Sequence, residues 1–392
     1  MVLTASKITE IRQQFLALQS KTYLNFGGQG PLPNSAWEAI QNSYLHIQQA
    51  GPFCTKNYAY ISSQIAALRQ ALSQELNITP ESLALTDSVT TGCNIVLWGL
   101  DWRAGDHLLL TDCEHPGILA IGQQLQARFG IDLTVLPLLQ QAQADSEHLV
   151  TCFRQALTPR TRLVALSHLL WNTGTTLPLQ EIVAVCHQQG VLVLADAAQS
   201  VGMMSLDLPS LGVDFYAFTG HKWLCGPDGL GGLYIHPEQL GHLQPTYVGW
   251  RSIKNGPQGF PEAFQATAAK FEIATTAFPL VSGLTAALHF HHHVSPTSIR
   301  YQQICDLSRY LWQGLATIPG VRCLTSTPPP AGLVTFQLES GKHGALVEWL
   351  ENQGILVRLL LFPNSVRACV HYMSLLRECD QLIGAVAEFT RG

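Results

Sequence analysis

Charge is scarce in this chain. Only 12% of its 392 residues are charged, against 47% hydrophobic, and the formal net charge is -5. No Lys/Arg run and no acidic tail occurs, so a nucleic-acid partner is not expected. Apolar residues are plentiful but discontinuous: no run approaches the ~20 residues that a membrane span requires. The opening MVLTASKITEIRQQF lacks an apolar core and carries Glu10 and Arg12 early, so a secretory signal is not expected either. The ten cysteines include no CxxC pair, which argues against a zinc site and a disulfide framework and for reduced thiols. There is no GxGxxG after a first strand and no GxxxxGK[ST], which leaves dinucleotide and P-loop chemistry unsupported. Repeats and low-complexity segments are absent. These exclusions leave a soluble, cytoplasmic, globular protein, long enough for two domains.

What is there is alternation. Residues 5–20 carry Ile8, Ile11, Phe15 and Leu18 on one helical face. Helical patterns at 35–49 and 60–76 precede a strand at 83–85 and a helix opening near Thr90. Strands at 108–113, 133–138, 163–169, 191–196, 214–218 and 231–237 follow, with helices at 117–129, 147–157 and 179–189 between them. Strands alternating with helices predict an α/β fold with a mostly parallel, doubly wound sheet. Residues 240–272 read as a Gly/Pro/aromatic-rich loop. Beyond it come helices from 278 and at 297–317, then strand 333–338, helix 343–353, strands 355–361 and 366–371, and helix 374–390, a smaller α+β unit.

The chemistry gathers between Val191 and Lys222. VLVLAD is a buried-type strand ending on Asp196, and Asp214–Phe218 leads into Thr219, Gly220, His221 and Lys222. Ligands of open α/β sheets sit beyond the carboxyl ends of strands. An acid, the amide of Gln199, a hydroxyl, an imidazole and an amine would meet there, which suits pyridoxal 5'-phosphate (PLP). Alone, Asp196 also reads as a helix cap and the His-Lys dipeptide as chance. Thr90, Thr91 and Gly92 open a helix whose free N–H groups suit a phosphate, or simply a capped helix. Asn172, after the strand at 163–169, is a second candidate donor to a ring oxygen. His115 follows a strand end, where it is either structural or able to stack on a flat ring and carry protons. Arg358 and Arg367 lie on apolar strands and require a partner, either an internal acid or a substrate carboxylate. His289 and His293 share a helix face at i, i+4, but without the Glu of HExxH or a third ligand they read as structural. No metal is expected.

In order, TTGCN, EHPG, SHLLWNTG, DAAQS, TGHK and KFEIATTAFP resemble the motifs of fold-type I PLP enzymes, in the class V aminotransferase (cysteine desulfurase-like) group. Within the group the likeness is nearest to the L-cysteine/cystine C-S lyases. The resemblance implies a mixed, mostly parallel seven-stranded sheet in a large domain, 20–260, with a small domain built from 1–19 and 261–392. It implies a homodimer with shared active sites, Lys222 as the Schiff-base lysine, Asp196 at the pyridinium nitrogen and His115 over the ring. Thr219 and His221 would join the phosphate site, and Thr275, with Thr276 as the alternative, would reach the phosphate of the neighbouring subunit. Arg358 and Arg367 would hold the carboxylate of an amino acid, with Gly27, Gly28, Trp250 and Arg251 lining the substrate pocket.

One departure matters. Desulfurases carry a catalytic cysteine on a loop between the counterparts of these arginines, whereas here only LLLFPNSV separates them. Cys369 follows on a strand, a poor place for a mobile sulfur acceptor. The expectation is therefore β-elimination at the C–S bond of cystine or cysteine, with His115 protonating the sulfur and cystine preferred. The alternative is a desulfurase or selenocysteine lyase type of sulfur transferase giving alanine, with iron–sulfur assembly as the implied destination of the sulfur.

Overall fold

In the computed structural model, which describes residues 3–141 and 144–391, the alternating pattern becomes two larger sheets, with two short two-stranded pairings beside them. The strands of the larger are β1 (Leu83–Thr86), β2 (His107–Thr111), β3 (Asp132–Leu136), β4 (Thr161–Ser167), β5 (Leu192–Asp196), β6 (Phe215–Thr219) and β7 (Gly231–Ile235). They pair in the order β1-β7-β6-β5-β4-β2-β3. Pairing is parallel from β6 through to β3, while β7 runs antiparallel to both its neighbours. The central strands are apolar throughout because both their faces are covered. Val164, Val193 and Tyr216 face one core with Leu68 and Leu72, while Ala165, Leu194 and Phe215 face another with Val96 and Leu97. This is the mixed, mostly parallel seven-stranded sheet expected from the sequence.

Helices α1 (Asn34–Ala50), α2 (Thr55–Leu76), α3 (Val89–Gly99), α4 (Pro116–Phe129) and α5 (Phe278–Val294) frame this sheet. The apolar stripe of α5, Val281, Leu284 and Leu288, enters the first of the two cores. The smaller sheet is β8 (Val321–Cys323), β9 (Leu333–Leu338), β10 (Arg358–Leu361) and β11 (Asn364–Cys369), antiparallel in the order β8-β9-β11-β10. Its own core joins Val334, Phe336, Val366 and Ala368 to Leu311, Leu346 and Leu382.

Three sequence expectations change. The helix expected over 5–20 is two pieces, Ala5–Arg12 and Ala17–Ser20. Arg12 is the reason: its buried guanidinium pairs with Glu378 at 2.7 Å and also donates to Leu18 O and Met373 O, which folds the chain back. The strand expected over 355–361 divides at Val357, its first part pairing in parallel with Thr22–Tyr23 and its second with β11. The loop expected over 240–272 holds a short hairpin, Ile253–Asn255 with Pro261–Phe264, and a 3-10 turn at Ala268–Phe271. Strands this short and exposed carry no periodic apolar signal.

Candidate active site

β5 and β6 are adjacent and parallel, so their carboxyl ends open on one side of the sheet. Asp196 closes β5, is buried, and accepts the Ala198 N–H at 2.9 Å. Burial raises its pKa, opposed by that N–H and by Lys222 and His115. Lys222 stands three residues past the end of β6. Burial pushes its amine down to about 8; Arg367 and Arg358 push the same way, and Asp196 and Cys369 oppose them. Among the described residues its Nζ has no hydrogen bond or ion pair. The turn carrying it is locked by the segment 25–30. Gly30 N–H donates to His221 O at 2.7 Å, and a Cβ on Gly30 would lie 2.2 Å from Lys222 O. Only glycine permits that approach.

His115 caps α4, its Nδ1 accepting the Gly117 N–H at 3.2 Å. That bond assigns the proton of the neutral ring to Nε2. Burial lowers the His115 pKa, helped by Lys222 and opposed by Asp196. Asn172 is fully buried, and among the described residues its amide has no nitrogen or oxygen partner, only the Cys113 thiol beside it. Gln199 is engaged at both ends: Nε2 donates to Gly27 O and Oε1 accepts from Trp223 Nε1, each at 2.9 Å. Only its second amide hydrogen remains for a ligand.

The helix expected near Thr90 starts at Val89 and is capped by Ser88. Ser88 takes the N–H of Thr91 with its hydroxyl and that of Gly92 with its carbonyl, each at 3.1 Å. The N–H groups of Val89 and Thr90, in the first turn, have no intrahelical acceptor. Thr219 and His221 are bonded to each other, Oγ1 to Nδ1 at 2.7 Å.

Arg358 and Arg367 are direct cross-strand partners on β10 and β11, so their side chains leave one face together. Arg358 is exposed and Arg367 is buried. Arg367 Nη1 donates to Trp171 O at 2.8 Å, while its Nε has no partner. Among the described residues neither pairs with an acid. The internal ion pair that was one of the two expectations is therefore not formed among the described residues. Gly27 lies between this pair and the cofactor-side residues: a Cβ there would come 2.8 Å from Cys369 Sγ, 3.0 Å from Gln199 Oε1 and 3.4 Å from Arg367. Gly28 continues the same turn, its N–H bonded to Asn25 O.

Thr275 is exposed and Thr276 half-buried; both line a cavity of about 350 Å³ with Asp87, Thr91 and Arg251. Arg251 is bound to Glu272, which Arg69 also holds at 2.7 Å. The Trp250 ring tilts against Tyr58. In the histidine-rich end of α5, His291 is buried and bonded to Tyr372 OH and Leu224 O, and His292 pairs with Glu75 at 2.6 Å. No cluster able to hold a metal occurs among the described residues.

Two neighbours of the site escaped the sequence reading. Glu114 accepts the hydroxyls of Thr111 at 2.6 Å and Ser167 at 2.7 Å, and burial lifts its pKa to about 7. Its position next to His115 was the available signal. Trp171 lies within SHLLWNTG, but its contacts run through a carbonyl and a ring edge, which the motif does not reveal.

The chain is similar to known proteins. The aminotransferase class-V family model matches residues 22–360. A probable cysteine desulfurase of Pseudomonas aeruginosa is 32% identical over 353 residues, 87% of this chain and 84% of that protein. A solved complex of the cystine C-S lyase C-DES with its reaction product cysteine persulfide is 49% identical and covers 96% of this chain and 99% of its own, with a TM-score of 0.93. A mutant of C-DES, with glycine covalently linked to the PLP cofactor, is 48% identical over the same shares of the two chains, with a TM-score of 0.94. The chain belongs to the class V aminotransferase family.

Proposed function

We propose that this chain is a PLP-dependent carbon–sulfur lyase acting on cystine. One cystine and one water become pyruvate, ammonia and cysteine persulfide; cysteine gives pyruvate, ammonia and sulfide. C-DES, whose product is cysteine persulfide, supports this reading.

The residues fit the cofactor. A buried acid, an unpartnered amine and a fully buried amide without a nitrogen or oxygen partner are costly unless a ligand completes them. Lys222 would hold the cofactor aldehyde, Asp196 the pyridine nitrogen, Asn172 and Gln199 the ring oxygen, and His115 the ring face. Thr90, Thr91, Gly92, Thr219 and His221 would hold the phosphate, with Thr275 of a second copy. The bound cofactor supplies an electron sink for charge developing at the substrate Cα. Lys222 Nζ, its pKa down at about 8, takes the proton from Cα. His115 donates a hydrogen bond from Nε2 to the departing sulfur, and Arg358 and Arg367 grip the α-carboxylate. Gly28 and Trp250 are proposed as further substrate contacts.

The observation that carries elimination over sulfur transfer is the β10–β11 turn. Leu361 pairs with Asn364, so only Phe362 and Pro363 lie between the strands. Cys369 is fully buried at the end of β11, its N–H bonded to Leu24 O. No thiol here is free to swing to a substrate and leave again. The desulfurase reading, favoured by the Pseudomonas relative, predicts alanine. Incubating the purified protein with cystine and quantifying both products decides: pyruvate equal to cystine consumed is expected, and alanine without pyruvate would refute the lyase.

We further propose a cytoplasmic homodimer feeding sulfur to iron–sulfur assembly. Among the described residues no helix is long and apolar enough to cross a membrane. Exposed Trp37, Tyr58, Tyr247 and Trp250 support a subunit contact. The division into 20–260 and 1–19 with 261–392 is proposed on the separate core of the smaller sheet, with α5 reaching across to the larger one.

A further inference from the structure

Trp171 is in contact with two proposed working groups that belong to different sheets. Its main-chain O accepts Arg367 Nη1 at 2.8 Å, from β11 of the smaller sheet. Its indole meets His115, the cap of α4 on the larger sheet, edge to face, with ring centroids 6.2 Å apart and planes at 60°. The loop that carries it is stiff. Leu169 bridges Thr176, Leu170 N–H donates to Thr175 O and Gly174 N–H to Leu170 O, the last two at 2.9 Å. The next residue is Asn172, whose amide has no nitrogen or oxygen partner.

We propose that Trp171 is a positioning residue that sets His115 and Arg367 in register with each other, its indole holding the imidazole and its carbonyl aiming the guanidinium. The turnover half of this statement rests on the lyase reading above; the positioning half does not. The two contacts separate by substitution. Any residue at 171 keeps the carbonyl, so Arg367 stays aimed. Only an aromatic ring keeps His115 packed.

The expected result is a split. Trp171→Ala lowers kcat by about tenfold or more, since a slightly misplaced hydrogen-bond donor is costly, and leaves KM for cystine within about twofold. Trp171→Phe keeps kcat within about threefold of wild type. A second readout needs no turnover: the His115 titration followed by NMR of histidine-labelled protein carrying its cofactor, with the signal identified by His115→Gln. His115 is held low chiefly by burial, while the charged groups acting on it are Asp196, which raises it, and Lys222, which lowers it. Removing the indole admits water and moves the titration upward in Trp171→Ala, while Trp171→Phe stays near wild type. Should Trp171→Ala fail to fold, Trp171→Leu takes its place with the same expectations. An unmoved His115 titration, or a KM raised beyond about tenfold with kcat intact, would overturn the proposal. If wild type makes no pyruvate, the lyase reading fails, and the titration still decides the role of Trp171.

Discussion

The ends of β5 and β6 and the hairpin of β10 and β11 present opposite solutions to placing charge. At the strand ends a buried acid and a half-buried amine sit in a main-chain-locked turn, and burial moves both pKa values toward neutrality. On the hairpin two arginines are cross-strand partners on one face, one exposed and one buried, and among the described residues neither pairs with an acid. On the proposed reading, a cofactor would complete the first arrangement and a substrate carboxylate the second. The difference would then divide the labour, one region storing reactivity and the other selecting what is exposed to it. Substitutions in the first should therefore stop chemistry, and those in the second should weaken capture.

The largest effect is expected from Lys222→Ala. Loss of a positioned proton-transfer group costs on the order of 10²–10⁴-fold, and pyruvate formation should fall by at least that much. Because the same residue would hold the cofactor, the protein should also lose its bound-aldehyde absorbance. A variant turning over normally would dissolve the contrast between the two regions.

Next comes Arg367→Ala. Truncating a buried charged contact costs about 2–5 kcal/mol, so kcat/KM for cystine should drop by about 10²-fold, mainly through KM. Arg358→Ala, at the exposed position, should lose about tenfold. Steady-state kinetics on the two variants would break the comparison if kcat fell and KM did not.

Gly27→Ala tests the seam between the regions. The added methyl would press on Cys369 Sγ, Gln199 Oε1 and Arg367 at once. Overpacking of this kind costs about 1–3 kcal/mol, and here it should lower both thermal stability and kcat/KM. Unchanged values for both would mean that the two regions do not meet at Gly27.

The amine at the strand ends also predicts a pH signature. In cofactor-free protein the folded state releases the Lys222 proton near pH 8, while the unfolded chain holds it to about 10.5. The unfolded state binds more protons between those values, so stability rises with pH across that window. Lys222→Met should abolish this increment in thermal melts taken from pH 7.5 to 10. An identical slope in the variant would mean that the amine is solvated.

The strand ends were legible in the sequence for a physical reason. A buried parallel strand is a continuous apolar run, and a polar residue where the run stops, such as Asp196, is marked by contrast. The facing of Arg358 and Arg367 was not legible, because register depends on the two-residue turn between them. Arg12 was hidden for the opposite reason: a charge on an amphipathic stretch reads as solvated until its partner, 366 residues away, is located. Trp171 stood inside the SHLLWNTG run, yet its bond to Arg367 was not legible, since a carbonyl is common to every residue. The Gln199 amide looked available in sequence, yet the fold uses it to tie Gly27 to Trp223.

The smallest expected effect is the most telling for the choice of reaction. Cys369 sits beside Gly27, and its thiol is felt electrostatically at Lys222, so proximity alone would nominate it as a sulfur carrier. Its surroundings argue otherwise. It is fully buried, and its backbone is fixed in β11 and bonded to Leu24, so a sulfur loaded on it could not leave the strand to meet an acceptor. Cys369→Ala should therefore leave pyruvate formation from cystine within about threefold of wild type, with only a modest loss of stability from the small cavity. A carrier cysteine would behave differently: its removal would abolish sulfur transfer while substrate still bound. Measuring pyruvate, alanine and released persulfide on the same sample separates these outcomes. A collapse of all turnover in a folded, cofactor-loaded Cys369→Ala protein would move the reacting thiol into β11 and overturn the view of the hairpin as a region that only binds.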